Sequence, residues 1–126
     1  AWVLYFNDAP TLVKELAGTN PDPRGMELAR DCMAKVPEAT YEATMRALIG
    51  FDLRDILKYI KLPTLLLAGS EATTAPAPMM KKMASFIPNA PYVELEGVGH
   101  LANLERPMMF NAALASFLSA HPLPKE

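Results

Sequence analysis

Pro63-Thr64-Leu65-Leu66-Leu67-Ala68-Gly69 is the stretch on which the reading of the chain turns. An uninterrupted apolar run stopped by glycine suits a strand covered on both faces, as strands of a parallel sheet are. Downstream, Met80, Met83, Ala84 and Ile87 mark a helix opened by Pro76 and Pro78 and closed before Pro88. Tyr92-Val93-Glu94-Leu95 reads as a second short strand. A last helix is expected from about Pro107, with Phe110, Leu114, Phe117 and Leu118 on its inner face. The order strand, helix, strand, helix, joined by right-handed crossovers, makes the two strands parallel members of one sheet. Two such strands alone leave backbone groups unpaired and apolar faces uncovered, so the sheet is expected to be incomplete, with more of it supplied from elsewhere.

Upstream, proline and glycine separate helices. Asp8-Ala9-Pro10 offers a helix start and Gly18 a stop. Asp22-Pro23 repeats the start signal, and Leu28, Ala29, Cys32, Met33 and Val36 follow at helical spacing until Pro37. Tyr41, Met45, Leu48 and Ile49 trace the face of the next helix. Leu53 to Ile60 predicts one more short helix with Leu53, Ile56, Leu57 and Ile60 turned inward. Cys32, on an apolar helical face, is expected to be a buried small hydrophobe. The chain thus divides into a helical segment over 1–60, a strand and helix segment over 61–120 and a flexible tail over 121–126.

A chain of 126 residues can bury roughly two thirds of its unfolded surface as one domain. With 12 basic and 14 acidic residues the charge is nearly balanced, and no basic stripe suggests nucleic acid or an anionic membrane as partner. No apolar stretch is long enough to span a bilayer, and Ala1-Trp2-Val3-Leu4-Tyr5-Phe6 has neither the basic region nor the cleavage site of a signal peptide. A cytoplasmic protein is expected, in keeping with the single cysteine.

The chemistry of an open parallel sheet collects in the loops at the carboxyl ends of its strands. Here those are Gly69 to Pro76 and Glu96 to Pro107. His100, just past a strand and preceded by Gly97 and Gly99, stands where an imidazole can reach a reacting group. Neither histidine has cysteine or histidine companions at ligand spacing, and Gly97-Val98-Gly99 alone is no dinucleotide fingerprint, so no metal and no cofactor is expected.

Gly-x-Gly-His with Glu105 and Pro107 behind it, downstream of the Pro63 to Gly69 run, resembles the C-terminal signature of the α/β-hydrolases. The branch it looks most like is that of the 3-oxoadipate enol-lactonases, which similarly carry a segment like Asp52-Leu53-Arg54 and a tail like Phe110 to Leu118. The likeness runs from about Asp22 to the end and is strongest from Leu53 onward. It implies the C-terminal part of an α/β-hydrolase: a helical cap segment, begun in the first twenty residues, and the last two parallel strands with their helices.

The resemblance further implies a triad of nucleophile, acid and histidine, with His100 as the base that takes a proton from serine and returns it to the leaving group. The family's aspartate comes three residues after the strand-ending glycine and four before a proline; from Gly69 and from Pro76 alike, that position is Ala72. Glu71, beside it, is the candidate substitute. The nucleophile is missing from this chain: no two of Gly18, Gly25, Gly50, Gly69, Gly97 and Gly99 lie four apart, so Gly-x-Ser-x-Gly cannot occur. Ser70, Ser85, Ser116 and Ser119 read as loop and helix-surface hydroxyls.

The expected function is therefore the C-terminal half of a small-molecule ester or lactone hydrolase, inactive alone. Its partner is an N-terminal half bearing Gly-x-Ser-x-Gly, as a separate chain or missing, and Met33, Tyr41 and Leu101 line the substrate pocket. The alternative is a non-catalytic association module derived from such an enzyme. Relatives of this fold include dehalogenases, haloperoxidases and cofactor-free oxygenases, so the fold by itself does not fix the reaction.

Overall fold

The computed structural model describes residues 9–122. The helix start at Asp8, the stretch Ala1 to Phe6 and the end of the tail lie outside them. The first helix, α1, spans Ala9–Leu16. Asp22 then caps α2, Pro23–Ala34: its carboxylate accepts the N–H of Arg24 at 2.8 Å and of Gly25 at 3.0 Å, while Pro23 occupies the first turn, where no N–H is needed. Val13 of α1 packs with Met26 and Ala29 of α2, and Met33, Leu101 and Leu104 close over that cluster. The two helices approach the later part of the chain so closely that a Cβ at Gly25 would fall on the Leu104 carbonyl.

After α2 the burial thins. Helix α3, Glu38–Ile49, has the expected span but no buried residue, and Ile49 is 85% exposed. On the apolar face that the periodicity traced, Tyr41 and Met45 are half-buried while Leu48 and Ile49 stand exposed. Cys32 is likewise exposed, not buried as expected, because α2 turns Met26 and Ala29 toward α1 and leaves position 32 on the open side. The next segment is a 3₁₀ turn, Arg54–Tyr59. Leu57 and Ile60 pack inward as expected, but Leu53, just before the turn, and Ile56 within it are exposed; the tighter winding rotates Ile56 off the inner face. Just before it, Arg54 grips Asp52 at 2.5 Å, and that side-chain hydrogen bond holds the Asp52 carboxyl down at about 2. Both groups are exposed, so the pair orders the local chain and adds little to stability.

The sheet consists of β1, Leu66–Gly69, and β2, Tyr92–Leu95, paired in parallel with Leu66 opposite Tyr92 and Gly69 opposite Leu95. Helix α4, Ala77–Phe86, makes the crossover and packs Ala84, with Ile87 beyond its end, onto Leu66; Met80 and Met83 fill the margin. The short α5, Ala102–Glu105, and the final α6, Pro107–Ala120, follow. Phe110 and Phe117 of α6 are half-buried, whereas Leu114 and Leu118 are exposed, so the expected inner face is only partly covered. His121 is held at the end of α6, its Nδ1 2.9 Å from the Phe117 carbonyl and its ring 4.5 Å from that of Phe117. Each strand keeps one unpaired edge among the described residues. No helix there is long and apolar enough to cross a membrane.

On β2 the Tyr92 hydroxyl sits 2.7 Å from Glu94 Oε2 and 3.2 Å from the Ala77 carbonyl. Desolvation, then the Glu94 carboxylate, push its pKa up from 10.0 to about 12. The folded state therefore favours the protonated phenol; that stabilisation is complete below the ordinary tyrosine value and is lost as the pH climbs from 10.0 to about 12. Ultraviolet titration of the folded chain should show a phenol ionising near that upper value, and Glu94→Gln should bring it down; a Tyr92→Phe chain with an unchanged titration curve would contradict the assignment.

Candidate functional site at the sheet rim

Beyond the last register pair, the ladder continues into the loops. The Ser70 N–H donates to the Leu95 carbonyl and the Glu71 N–H to the Val98 carbonyl, each at 2.9 Å. The Ser70 hydroxyl accepts the Gly97 N–H at 2.9 Å. These bonds lay the loop after β1 alongside the loop after β2. The two glycines before His100 serve different ends. Gly97 takes a left-handed conformation, φ +68°, which a side chain would strain; Gly99 leaves room, since a Cβ there would strike the backbone of Leu16, Ala17 and Gly18.

His100 thus comes to the rim of the sheet. Its N–H donates to the Leu16 carbonyl at 2.7 Å, the residue is exposed, and its ring has no hydrogen-bond or ionic partner among the described residues. An imidazole whose backbone is tied down and whose ring nitrogens are open is chemically able to accept and return a proton.

The loop around it is held by a residue whose role sequence reading did not find. Glu105 is 1% exposed. Its Oε2 accepts the N–H of Gly18 at 2.7 Å and of Gly99 at 2.8 Å, and its Oε1 accepts the N–H of Leu101 at 2.9 Å. Burying a carboxylate is costly unless such donors replace its water, and three amides do so here. The Glu105 carbonyl also receives the Asp22 N–H at 3.0 Å. Arg106 extends the tie outward, donating to the Asn20 carbonyl and, at 2.8 Å, to that of Thr19. The visible signal was the Glu-x-Pro spacing after His100; that the carboxylate would turn inward depended also on the Gly18 donor, 87 residues away in sequence.

Ala72 occupies the expected acid position, 8% exposed, with its N–H donating to the Gly69 carbonyl at 3.2 Å. A methyl group there can neither orient nor stabilise a charged imidazole. Glu71 is exposed, and its two oxygens lie 2.9 and 3.0 Å from the Thr19 hydroxyl that donates to them, so its carboxylate is engaged with the turn after α1. Ser70 is a loop hydroxyl, as the sequence indicated. Of the candidate pocket residues, Met33 and Leu101 meet on the Val13 cluster, while the half-buried Tyr41 on α3 is not part of it.

Two open grooves of about 540 and 560 Å³ lie elsewhere: one between α2 and α5, lined by residues such as Asp22, Asp31 and Asn103, the other beside the 3₁₀ turn, with Lys58, Lys61 and His121. Neither of these two grooves is lined by His100. No group of three or more histidine, cysteine, aspartate or glutamate residues among those described could hold a metal ion.

No family model matches the chain. It is 38% identical over 78 residues to a RutD protein of Pseudomonas syringae pv. syringae that carries the name of a carbamate hydrolase, covering 62% of this chain and 30% of that protein. It is 32% identical over 92 residues to a pyrrolizixenacetamide deacetylase of Xenorhabdus hominickii, covering 71% of this chain and 34% of the other. Among solved structures, the enol-lactonase of Burkholderia xenovorans LB400 superposes with a TM-score of 0.72 at 29% identity, covering 77% of this chain and 37% of that one. A thermophilic esterase of Thermogutta terrifontis gives a TM-score of 0.79 at 26% identity, covering 89% and 43%. The chain spans about a third of the length of the curated relatives it matches. Two parallel strands with their crossover helix, a histidine at their carboxyl rim and the likeness to these hydrolases lead to one placement: the chain has the fold of the α/β-hydrolases, of which it matches the C-terminal part.

Proposed function

We propose that this chain is the C-terminal part of a cytoplasmic small-molecule ester or lactone hydrolase, with His100 as its general base. The nucleophilic serine and the remaining sheet come from an N-terminal part carrying Gly-x-Ser-x-Gly. The observation that carries this reading is the placement of His100: exposed, without a ring partner among the described residues, and fixed through its backbone N–H at the carboxyl ends of two parallel strands. In the reaction the imidazole removes the serine proton as the hydroxyl oxygen attacks the ester carbonyl. The same proton then goes to the departing alcohol, and water, activated by the same imidazole, releases the acid. Helices α1 to α3 form one wall of the substrate pocket, to which Met33, Leu101 and Tyr41 contribute. An unpaired edge of the sheet and the exposed parts of the apolar faces of α3 and α6, such as Leu48, Ile49, Leu114 and Leu118, receive the other part. Alone, the chain has no nucleophile and turns over nothing.

The test is to mix the chain with the N-terminal portion of a RutD relative, ended where the likeness begins. A stable complex should form and hydrolyse nitrophenyl acetate, and His100→Ala should abolish the hydrolysis while leaving assembly intact. A complex whose hydrolysis is unaffected by His100→Ala would refute the role assigned to the imidazole.

The buried methyl of Ala72 favours a second reading, an association module that has lost its acid. In that case the complex forms, His100→Ala leaves binding unchanged, and turnover is absent even when aspartate replaces Ala72.

A further inference from the structure

We infer that Glu105 is the positioning residue of His100, setting the imidazole by gripping the chain on both sides of it. Its significance for catalysis rests on the hydrolase reading above; its grip on the loop does not. The Gly99 N–H immediately before His100 and the Leu101 N–H immediately after it end on the two oxygens of this one carboxylate, at 2.8 and 2.9 Å. The Gly18 N–H, at 2.7 Å on the oxygen that Gly99 uses, joins the same anchor to the turn after α1. That turn in turn supplies the Leu16 carbonyl that receives the His100 N–H at 2.7 Å. Three consecutive peptide groups around His100 are therefore referenced to one buried anion and the turn it holds. Glu105 does not touch the ring; it sets where the ring starts from.

A carboxylate can accept at both oxygens, whereas the carboxamide of Glu105→Gln presents an acceptor on one side and a donor on the other, at nearly the same volume. Whichever way it turns, at least one of the three N–H groups loses its acceptor and faces an NH₂. The first measurement is amide hydrogen exchange on the wild-type full chain: the Gly18, Gly99 and Leu101 amides should exchange at least ~100-fold more slowly than an unstructured peptide. Rates within about tenfold of the unstructured value would overturn the proposal without any variant. In Glu105→Gln, exchange at one or more of these amides should accelerate at least ~10-fold while the Leu66 and Ser70 amides, bonded across the sheet, keep their rates; the His100 ring resonances should shift or broaden at the same time. Uniform acceleration of all amides with an unchanged His100 ring would reduce Glu105 to a general stabiliser and overturn the proposal.

In the assembled hydrolase, Glu105→Gln should lower kcat by about 10- to 100-fold with KM within about twofold, as expected for a misplaced base. An unaltered kcat in a complex whose turnover requires His100 would overturn the positioning role. Absence of any His100-dependent turnover, with the exchange and ring signatures intact, would instead refute the hydrolase reading and leave the anchoring established.

Discussion

If the chain works as part of the hydrolase proposed above, Ala72→Asp is expected to raise turnover of that assembly by ~10³ to 10⁴, equivalent to about 4 to 5 kcal/mol of transition-state stabilisation. Position 72 lies one residue beyond Glu71, whose N–H bonds to the Val98 carbonyl, and His100 lies two residues beyond Val98 on the facing loop. A carboxylate introduced there would accept the imidazole N–H, fix the tautomer that leaves the other nitrogen free to take the serine proton, and stabilise the imidazolium once formed. Glu71 cannot perform this task while its carboxylate is held by Thr19. The position is 8% exposed, so the new charge should cost the isolated chain about 1 to 3 kcal/mol, recovered in part when the imidazole becomes its partner. Nitrophenyl acetate turnover of Ala72→Asp, His100→Ala and the double variant checks the argument. A gain below about tenfold, or a gain that survives His100→Ala, would show that this position does not serve the imidazole.

Gly69→Ala should destabilise the chain by about 3 kcal/mol or more. The last residue of β1 lies against the loop that leads to His100, and a Cβ on it would fall on the carbonyl oxygens of Val98 and Gly99. Both obstacles are backbone, tied by the Ser70, Glu71 and Glu105 bonds, so no flexible side chain can yield. Accommodation requires parting the two loops, which breaks the bonds that bring His100 to the rim. Gly50 supplies the control: it follows α3 with nothing within 4 Å of a built Cβ and φ −94°, so Gly50→Ala should stay within about 0.5 kcal/mol of the parent. Urea unfolding of both variants measures the difference; equal midpoints would contradict the close approach.

The architecture was legible because the strongest signals in the sequence are local. The apolar run at Leu65 to Ala68 called for a strand covered on both faces, and proline and aspartate at Pro23, Pro76 and Pro107 fixed helix starts to within a residue or two. His100 was legible for a similar reason, since two glycines and a preceding strand set its place at the rim. Burial was less so. Spacing shows which face of a helix is apolar but not whether anything lies against it, so Ile49, on an apolar face, and Leu114 and Leu118, expected to face inward, stand exposed. Leu53 and Ile56 failed differently: the segment winds as a 3₁₀ turn that begins only after Leu53 and has a period that the helical pattern does not predict. Glu105 was invisible as an anchor because a glutamate on a short helix ordinarily faces water, and the donors that hold it inside come both from the loop just before it and from the distant turn at Gly18.

The bond from Gly18 to Glu105 joins positions separated by 87 residues. Contacts of such range form late, after the entropy of closing the intervening loop has been overcome. During synthesis the Gly18 turn leaves the ribosome long before the carboxylate that is to receive it, so the setting of His100 cannot be completed by any nascent chain that stops short of α5. Maturation of the imidazole is in this way made conditional on the whole stretch from Gly18 to Glu105 having been made and folded.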